Sequence, residues 1–316
     1  MTGHKGAPDS TGGLGGGSGG PNNKEDDLRS PRLFTIVVTC LVAGSLLLSG
    51  CAADGADGKG TVNLVYVQWA CAESQTHIAQ AVLQDMGYDV PLMTVAAGPM
   101  WTGVASGDAD ALVCGWLPYT HESYMAEYGD QVEDLGADFT GARIGLVVPG
   151  YVDVDSIADL NSVGDQFNWT IYGIEPGSGL MQHTYDETVP VYGLDRWEVM
   201  DASDMAMTVA LKNAYDKQEP VIVTGWAPHW KFFAYDLKFL DDPENTYGGS
   251  EEIHVIARKG FSEDLPEAAN MLSKFFLTES QLGEVMYEVN VNGVDPATAA
   301  RTWVDANQDV VSQWTS

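Results

Sequence analysis

The 316-residue chain is predicted to be an α/β protein with two similar lobes facing one cleft. Three observations lead there. Short β-rich runs alternate with helical patterns through residues 61–316, the signature of parallel sheets covered by helices. The length suits about two domains or lobes. An apolar run ending in Gly-Trp-x-Pro also occurs twice, at 111–118 and 221–228, about one lobe apart.

Residues 1–30 are a Gly/Ser/Pro/Asn tail with too little apolar content to pack, and they are set aside from the fold. Arg29 and Arg32 precede an uncharged apolar run from Leu33 to Leu48. Its length is short of the ~20 residues of a membrane-crossing helix but suits a signal peptide. It ends in Leu48-Ser49-Gly50-Cys51, which resembles the lipobox of bacterial lipoproteins. That resemblance implies cleavage after residue 50, lipidation of Cys51, and an anchored protein on the extracytoplasmic face of the cell membrane. Residues 51–60 read as a tether.

From there the pattern predicts a strand at 62–69 and a helix at 73–86, with Ile78, Val82, Leu83 and Met86 on one face and Gly87 as its C-terminal stop. Strands follow at 90–95, 111–116 and 144–149. A second set comprises a strand at 170–174, a helix at 204–217 and a strand at 221–226. The chain returns through a strand at 253–258 to helices at 266–277, 278–289 and 296–314; Thr278 and Gln281 have capping-box spacing. The expected division is 61–150 plus 251–316 for the first lobe and 151–250 for the second. Crossings near 148–151 and 251–254 would act as hinges.

Charge and motifs narrow the function. The formal charge is −30, and because residues 1–50 hold four basic and four acidic residues, all of it falls on residues 51–316. A phosphate-backbone partner needs a basic surface, so nucleic acid is excluded. The only Gly-x-Ser-x-Gly match, at 16–20, lies in the low-complexity tail. Residues 51–316 carry no Walker A loop and no Gly-x-Gly-x-x-Gly after a strand. Their five histidines lack metal-ligand spacing, so no metal, cofactor or catalytic residue is expected.

Tryptophan is the informative residue. Trp69, Trp116 and Trp226 all fall at predicted carboxyl ends of strands, the edge at which open α/β sheets bind ligands. A single Trp there is more often core than ligand wall, but the repeated Gly-Trp-x-Pro reverses that expectation. A quaternary ammonium has no N–H to donate, so a cage of aromatic faces is the chemistry that recognises it, at about 0.5–2 kcal/mol per face. For a carboxylate pole, the Gly/Pro turn at 172–179 and His121, five residues after Trp116, offer N–H donors.

Several motifs in one order then carry a resemblance across the whole of 61–316. They are Gly107-Asp108-Ala109-Asp110, Gly115-Trp116-Leu117-Pro118-Tyr119-Thr120-His121, Gly145 to Val152, Ser156-Ile157-Ala158-Asp159-Leu160, Gly173 to Gly179, and Thr224 to Trp230. The segment resembles the glycine-betaine-binding proteins of ABC importers, the OpuAC/ProX-like family. The resemblance implies a two-lobed periplasmic-binding-protein-like (type II) fold with a ligand cleft between the lobes. It also implies delivery to an ABC permease, a role in osmoprotection, and no enzymatic activity. It puts the aromatic cage at Trp69, Trp116 and Trp226, and the carboxylate contacts at the His121 side chain and the Gly173 and Ile174 backbone N–H groups. Receptors for choline or carnitine are the alternatives within the same fold, and an exported hydrolase is the alternative outside it.

Cys71 and Cys114 depart from the family pattern. They flank the cage tryptophans, at Trp69+2 and Trp116−2. In an oxidising exterior they are candidates for a disulfide, and equally for two buried small side chains.

Overall fold

The apolar strand patterns assemble into one mixed sheet in the computed structural model, which describes residues 58–316. The segment expected to be a signal peptide, the expected lipidation site Cys51 and residues 52–57 of the expected tether lie outside the described residues. The strands are β1 (Leu64–Tyr66), β2 (Leu92–Thr94), β3 (Ala111–Leu117), β4 (Val132–Pro149), β5 (Thr170–Tyr172), β6 (Glu198–Met200), β7 (Val223–Ala227), β8 (Leu237–Phe239) and β9 (Glu251–Arg258). Their order is β2-β1-β3-β9-β4-β7-β5-β6, with β8 on β4.

The flanks are parallel as expected: β1 pairs with β2 and β3, and β5 with β6 and β7. The centre is antiparallel, because β3 and β4 both run against β9, and β4 runs against β7 and β8. The expectation of purely parallel sheets is corrected there. β4 also begins twelve residues before the strand predicted at 144. Its first part, Val132 to Ala142, pairs with β9, and Arg143 to Val147 pairs with β7. One strand thus passes from one half of the sheet to the other, changing partner at Ala142/Arg143. Three register shifts along the β4–β9 pairing explain why no clean alternation marks its first part in the sequence.

Helix α1 (Ala70–Asp85) starts directly after Trp69 and ends with Gly87 at positive φ, the left-handed stop a glycine supplies. It packs against the helices Glu279–Asn290 and Pro296–Ala306. The Thr278/Gln281 capping box is present. The single helix expected at 296–314 is two, Pro296–Ala306 and Gln308–Trp314, parted at Asn307. Among the described residues, no helix is long and apolar enough to cross a membrane.

The two Gly-Trp-x-Pro copies occupy equivalent places. Trp116 is the penultimate residue of β3 and Trp226 of β7. Their glycines allow the antiparallel neighbour to lie close. A Cβ on Gly115 would sit 2.7 Å from Ile256 Cγ1, and one on Gly225 2.5 Å from Val147 Cγ2. Both distances are inside van der Waals contact.

Candidate functional site

Trp69, Trp116 and Trp226 converge on one cavity. With Thr120, His121, Ile144, Ile174, Ser178, Gly179 and Leu180 they line a small cavity. All three indoles are at most 6% exposed. Trp69 and Trp116 come from the β1–β3 half. Trp226 comes from β7, in register with Ile144 of β4. The helix Gly179–His183 brings Gly179 and Leu180 to the wall.

His121 is held by its own turn. Its N–H donates to Trp116 O (2.9 Å), and the Trp116 N–H donates back to His121 Nδ1 (3.0 Å). Because Nδ1 accepts, the neutral ring carries its proton on Nε2. That Nε2 is buried and has no hydrogen-bond partner among the described residues. Trp69 stacks on the imidazole at 6.0 Å between centroids, and Trp101 and Tyr124 stand edge-on at 5.5 and 5.7 Å. Burial pushes the ring's pKa down to about 3, so His121 is a neutral N–H donor. Among the described residues, no carboxylate, ammonium or guanidinium lines the cavity.

The second copy shows what such a histidine does when a carboxylate is present. His229, three residues past Trp226, accepts the Lys231 N–H on Nδ1 (3.1 Å) and presents Nε2 to Asp204 Oδ1 (3.0 Å). Burial, with the Lys231 charge, holds this ring's pKa at about 4, so the contact is a hydrogen bond from a neutral imidazole. His121 offers the same Nε2–H with its place still free.

Of the two expected backbone donors, one is corrected. The Gly173 N–H donates to Met200 O (2.9 Å), and Gly173 does not line the cavity. β5 ends at Tyr172, and the following residue is absorbed by pairing with the end of β6. The Ile174 N–H meets only Met181 Sδ, at 3.4 Å, and thioether sulfur is a weak acceptor. That donor is thus only weakly engaged, and Ile174 itself lines the cavity.

The halves also touch around the cavity. Trp69 Nε1 donates to Glu175 Oε1, Tyr124 Oη to Gly177 O (2.6 Å), and Ser123 Oγ to Gln182 Oε1 (2.8 Å). Thr120, absent from the sequence-based set, is fixed by Glu251, which accepts from both its N–H and Oγ1. Ile144 and Leu180 were also missed, since apolar wall residues carry no signal that separates them from core.

Cys71 and Cys114 are both free, buried thiols that lie against each other, and burial pushes Cys114 upward. The structure contains the second of the two arrangements left open by the sequence. No group of three or more metal-ligating side chains occurs among the described residues.

The neutral histidines set an acid response. Both rings would take a proton near pH 6.5 in the unfolded chain but resist it when folded, so their contribution is intact above 6.5 and declines as pH falls below it. The loss is at most about 1.4 kcal/mol per pH unit for each ring. Denaturant unfolding between pH 6.5 and 4.5 is expected to show a steeper decline for wild type than for His229→Gln. Equal slopes would contradict the buried neutral state.

A mixed α/β sheet in two halves with a buried aromatic cavity between them defines a type II solute-binding protein. The chain belongs to the family of substrate-binding domains of ABC-type glycine betaine transport systems, whose model matches residues 60–306. The glycine betaine/carnitine transport binding protein GbuC of Listeria monocytogenes is 46% identical over 179 residues, 56% of this chain. The match spans 57% of the length of that relative. Lactococcal OpuAC, in its closed conformation with glycine betaine, superposes with a TM-score of 0.77 at 39% identity, covering 81% of this chain and all of that one. The ProX protein of Borrelia burgdorferi, a glycine betaine and L-proline-binding protein, gives 0.78 at 30% identity over 81% of this chain and 97% of its own. The family consists of binding proteins, which are not enzymes.

Proposed function

We propose that the chain is an extracytoplasmic receptor for glycine betaine, or a close quaternary-ammonium relative such as proline betaine, which it delivers to an ABC importer in osmoprotection. The observation that carries this reading is a buried, charge-free cavity with three indoles and one unpaired imidazole N–H. A zwitterion with a methylated cation fits both features: the rings take the cation through their faces, and His121 Nε2 with the Ile174 N–H takes the carboxylate. The two halves of the sheet act as lobes that close on the ligand without making or breaking a bond, with the first crossing at 142/143 rather than at the expected 148–151, so that 61–142 plus 251–316 form one lobe and 143–250 the other. Cys51 carries the lipid anchor, and permease subunits are the partner.

Carnitine is the second reading, because the Listeria relative is named for both solutes and carnitine has the same two poles. Calorimetric titration of residues 52–316 with glycine betaine, proline betaine, carnitine, choline and proline separates them. Binding of the first two is expected, with no heat from proline, which lacks the methylated cation. Choline lacks the carboxylate, and choline bound as tightly as betaine would remove the role given to His121 and Ile174.

A further inference from the structure

A buried polar chain joins two of the three cage tryptophans from outside the cavity. The Lys231 N–H donates to His229 Nδ1, His229 Nε2 meets Asp204 Oδ1, and Asp204 Oδ2 accepts the Ala70 N–H at 3.0 Å. Lys231, His229 and Asp204 are all buried. His229 follows Trp226 on the turn after β7, and Lys231 opens the short helix Lys231–Ala234 that comes next. Ala70 follows Trp69 and is the first residue of α1.

That helix start has no cap of its own. Trp69 occupies the N-cap position without a side-chain hydrogen bond. The first N–H groups of a helix need outside acceptors, and an anion is favoured there. Asp204 supplies one from the other half of the sheet, at the start of the helix Asp204–Tyr215. His229 and Lys231 hold its carboxyl below the usual range against the opposing push of burial, and Glu73 and Glu175 are the nearby acids that feel its charge. Lys231 Nζ lies 4.3 Å from the Trp226 ring centroid and is faced by Asp204 and Cys71. Asp204 thus touches the supports of both Trp69 and Trp226 while lining no part of the cavity.

We propose that Asp204 is a positioning residue for ligand binding: by capping α1 across the cleft it fixes Trp69 relative to Trp226 once the two halves meet. The inference rests on the receptor reading above. When the halves part, the Ala70 N–H passes to water while the His229 bond to Asp204 stays within its own half. The cross-cleft bond therefore belongs to the closed form, and its loss shows in ligand escape rather than in ligand arrival.

The test is stopped-flow fluorescence of glycine betaine binding with wild type, Asp204→Asn, Asp204→Ser and the exposed-site control Asp216→Asn. An asparagine presents its amide N–H to the His229 Nε2–H or to the Ala70 N–H, so one bond is lost whichever way it turns. Asp204→Asn is expected to raise the dissociation rate about tenfold or more, a change typical of a charge-assisted hydrogen bond. The association rate should stay within about threefold, and Asp216→Asn should match wild type. Amide exchange at Ala70 in the betaine-saturated protein should be slow in wild type and faster in the variant, because a neutral side chain weakens the Ala70 bond even in the orientation that keeps it. Asp204→Ser, a residue that starts helices well, gives the same comparison if the asparagine variant folds poorly. Unchanged dissociation and unchanged Ala70 protection would overturn the positioning role alone. Absence of betaine binding by wild type would overturn the receptor reading with it.

Discussion

Trp116→Leu and Trp226→Leu are each expected to weaken glycine betaine binding by more than tenfold. Leucine keeps apolar bulk in the wall, so the fold retains most of its burial at these positions. The aromatic quadrupole goes with the ring, and with it the attraction for a cation that no charged side chain of the wall replaces. A desolvated face contributes up to about 2 kcal/mol, equivalent to roughly 30-fold in affinity. Calorimetry with a matched unfolding curve separates this from general damage. Affinity within threefold of wild type in both variants would mean that apolar contact alone holds the ligand.

Gly179→Ala is expected to reduce affinity about a hundredfold while leaving the ligand-free protein folded. A Cβ at Gly179 would lie 1.8 Å from Thr120 O and 2.7 Å from Thr120 C. These are backbone atoms, and Glu251 anchors Thr120 through both its N–H and hydroxyl. The clash cannot be relieved by a rotamer change. It is relieved by parting the two halves, since Thr120 follows Trp116 on one and Gly179 opens a helix on the other. Parting them opens the cavity that both residues line. Gly103→Ala, with nothing within 4 Å of the added carbon, is the control and should bind normally. A Gly179→Ala protein of wild-type affinity would show that the halves do not need to meet this closely.

Both effects trace to features that differ in how visible they are in sequence. The convergence of Trp116 and Trp226 on one cavity was legible because Gly-Trp-x-Pro is local and repeated, and because the glycine has a packing reason in each copy, Ile256 against Gly115 and Val147 against Gly225. His121 was legible from its distance to Trp116, since a five-residue turn returns its ring to that backbone. The first part of β4 was not, because Asp134, Gly136 and Gly141 interrupt any alternation and the pairing to β9 shifts register three times. Asp204 was not legible either: its partner Ala70 is 134 residues away in the chain, and one aspartate among 45 acidic residues has no local mark. Gly173 shows the opposite failure. The motif pointed to it correctly as part of the turn, but a sheet bond to Met200 had already taken its N–H.

The −30 charge sits apart from the site, which has no ionic group in its wall and whose proposed ligand is net neutral. Steering by the protein's field therefore has little to act on. Recognition falls to short-range contacts with ring faces and N–H groups.

A crystal structure of residues 52–316 with glycine betaine would show directly where each pole of the ligand lies. The trimethylammonium group is expected among Trp69, Trp116 and Trp226, with a carboxylate oxygen within about 3.2 Å of His121 Nε2. A ligand bound elsewhere, or one whose carboxylate faces away from His121, would contradict it.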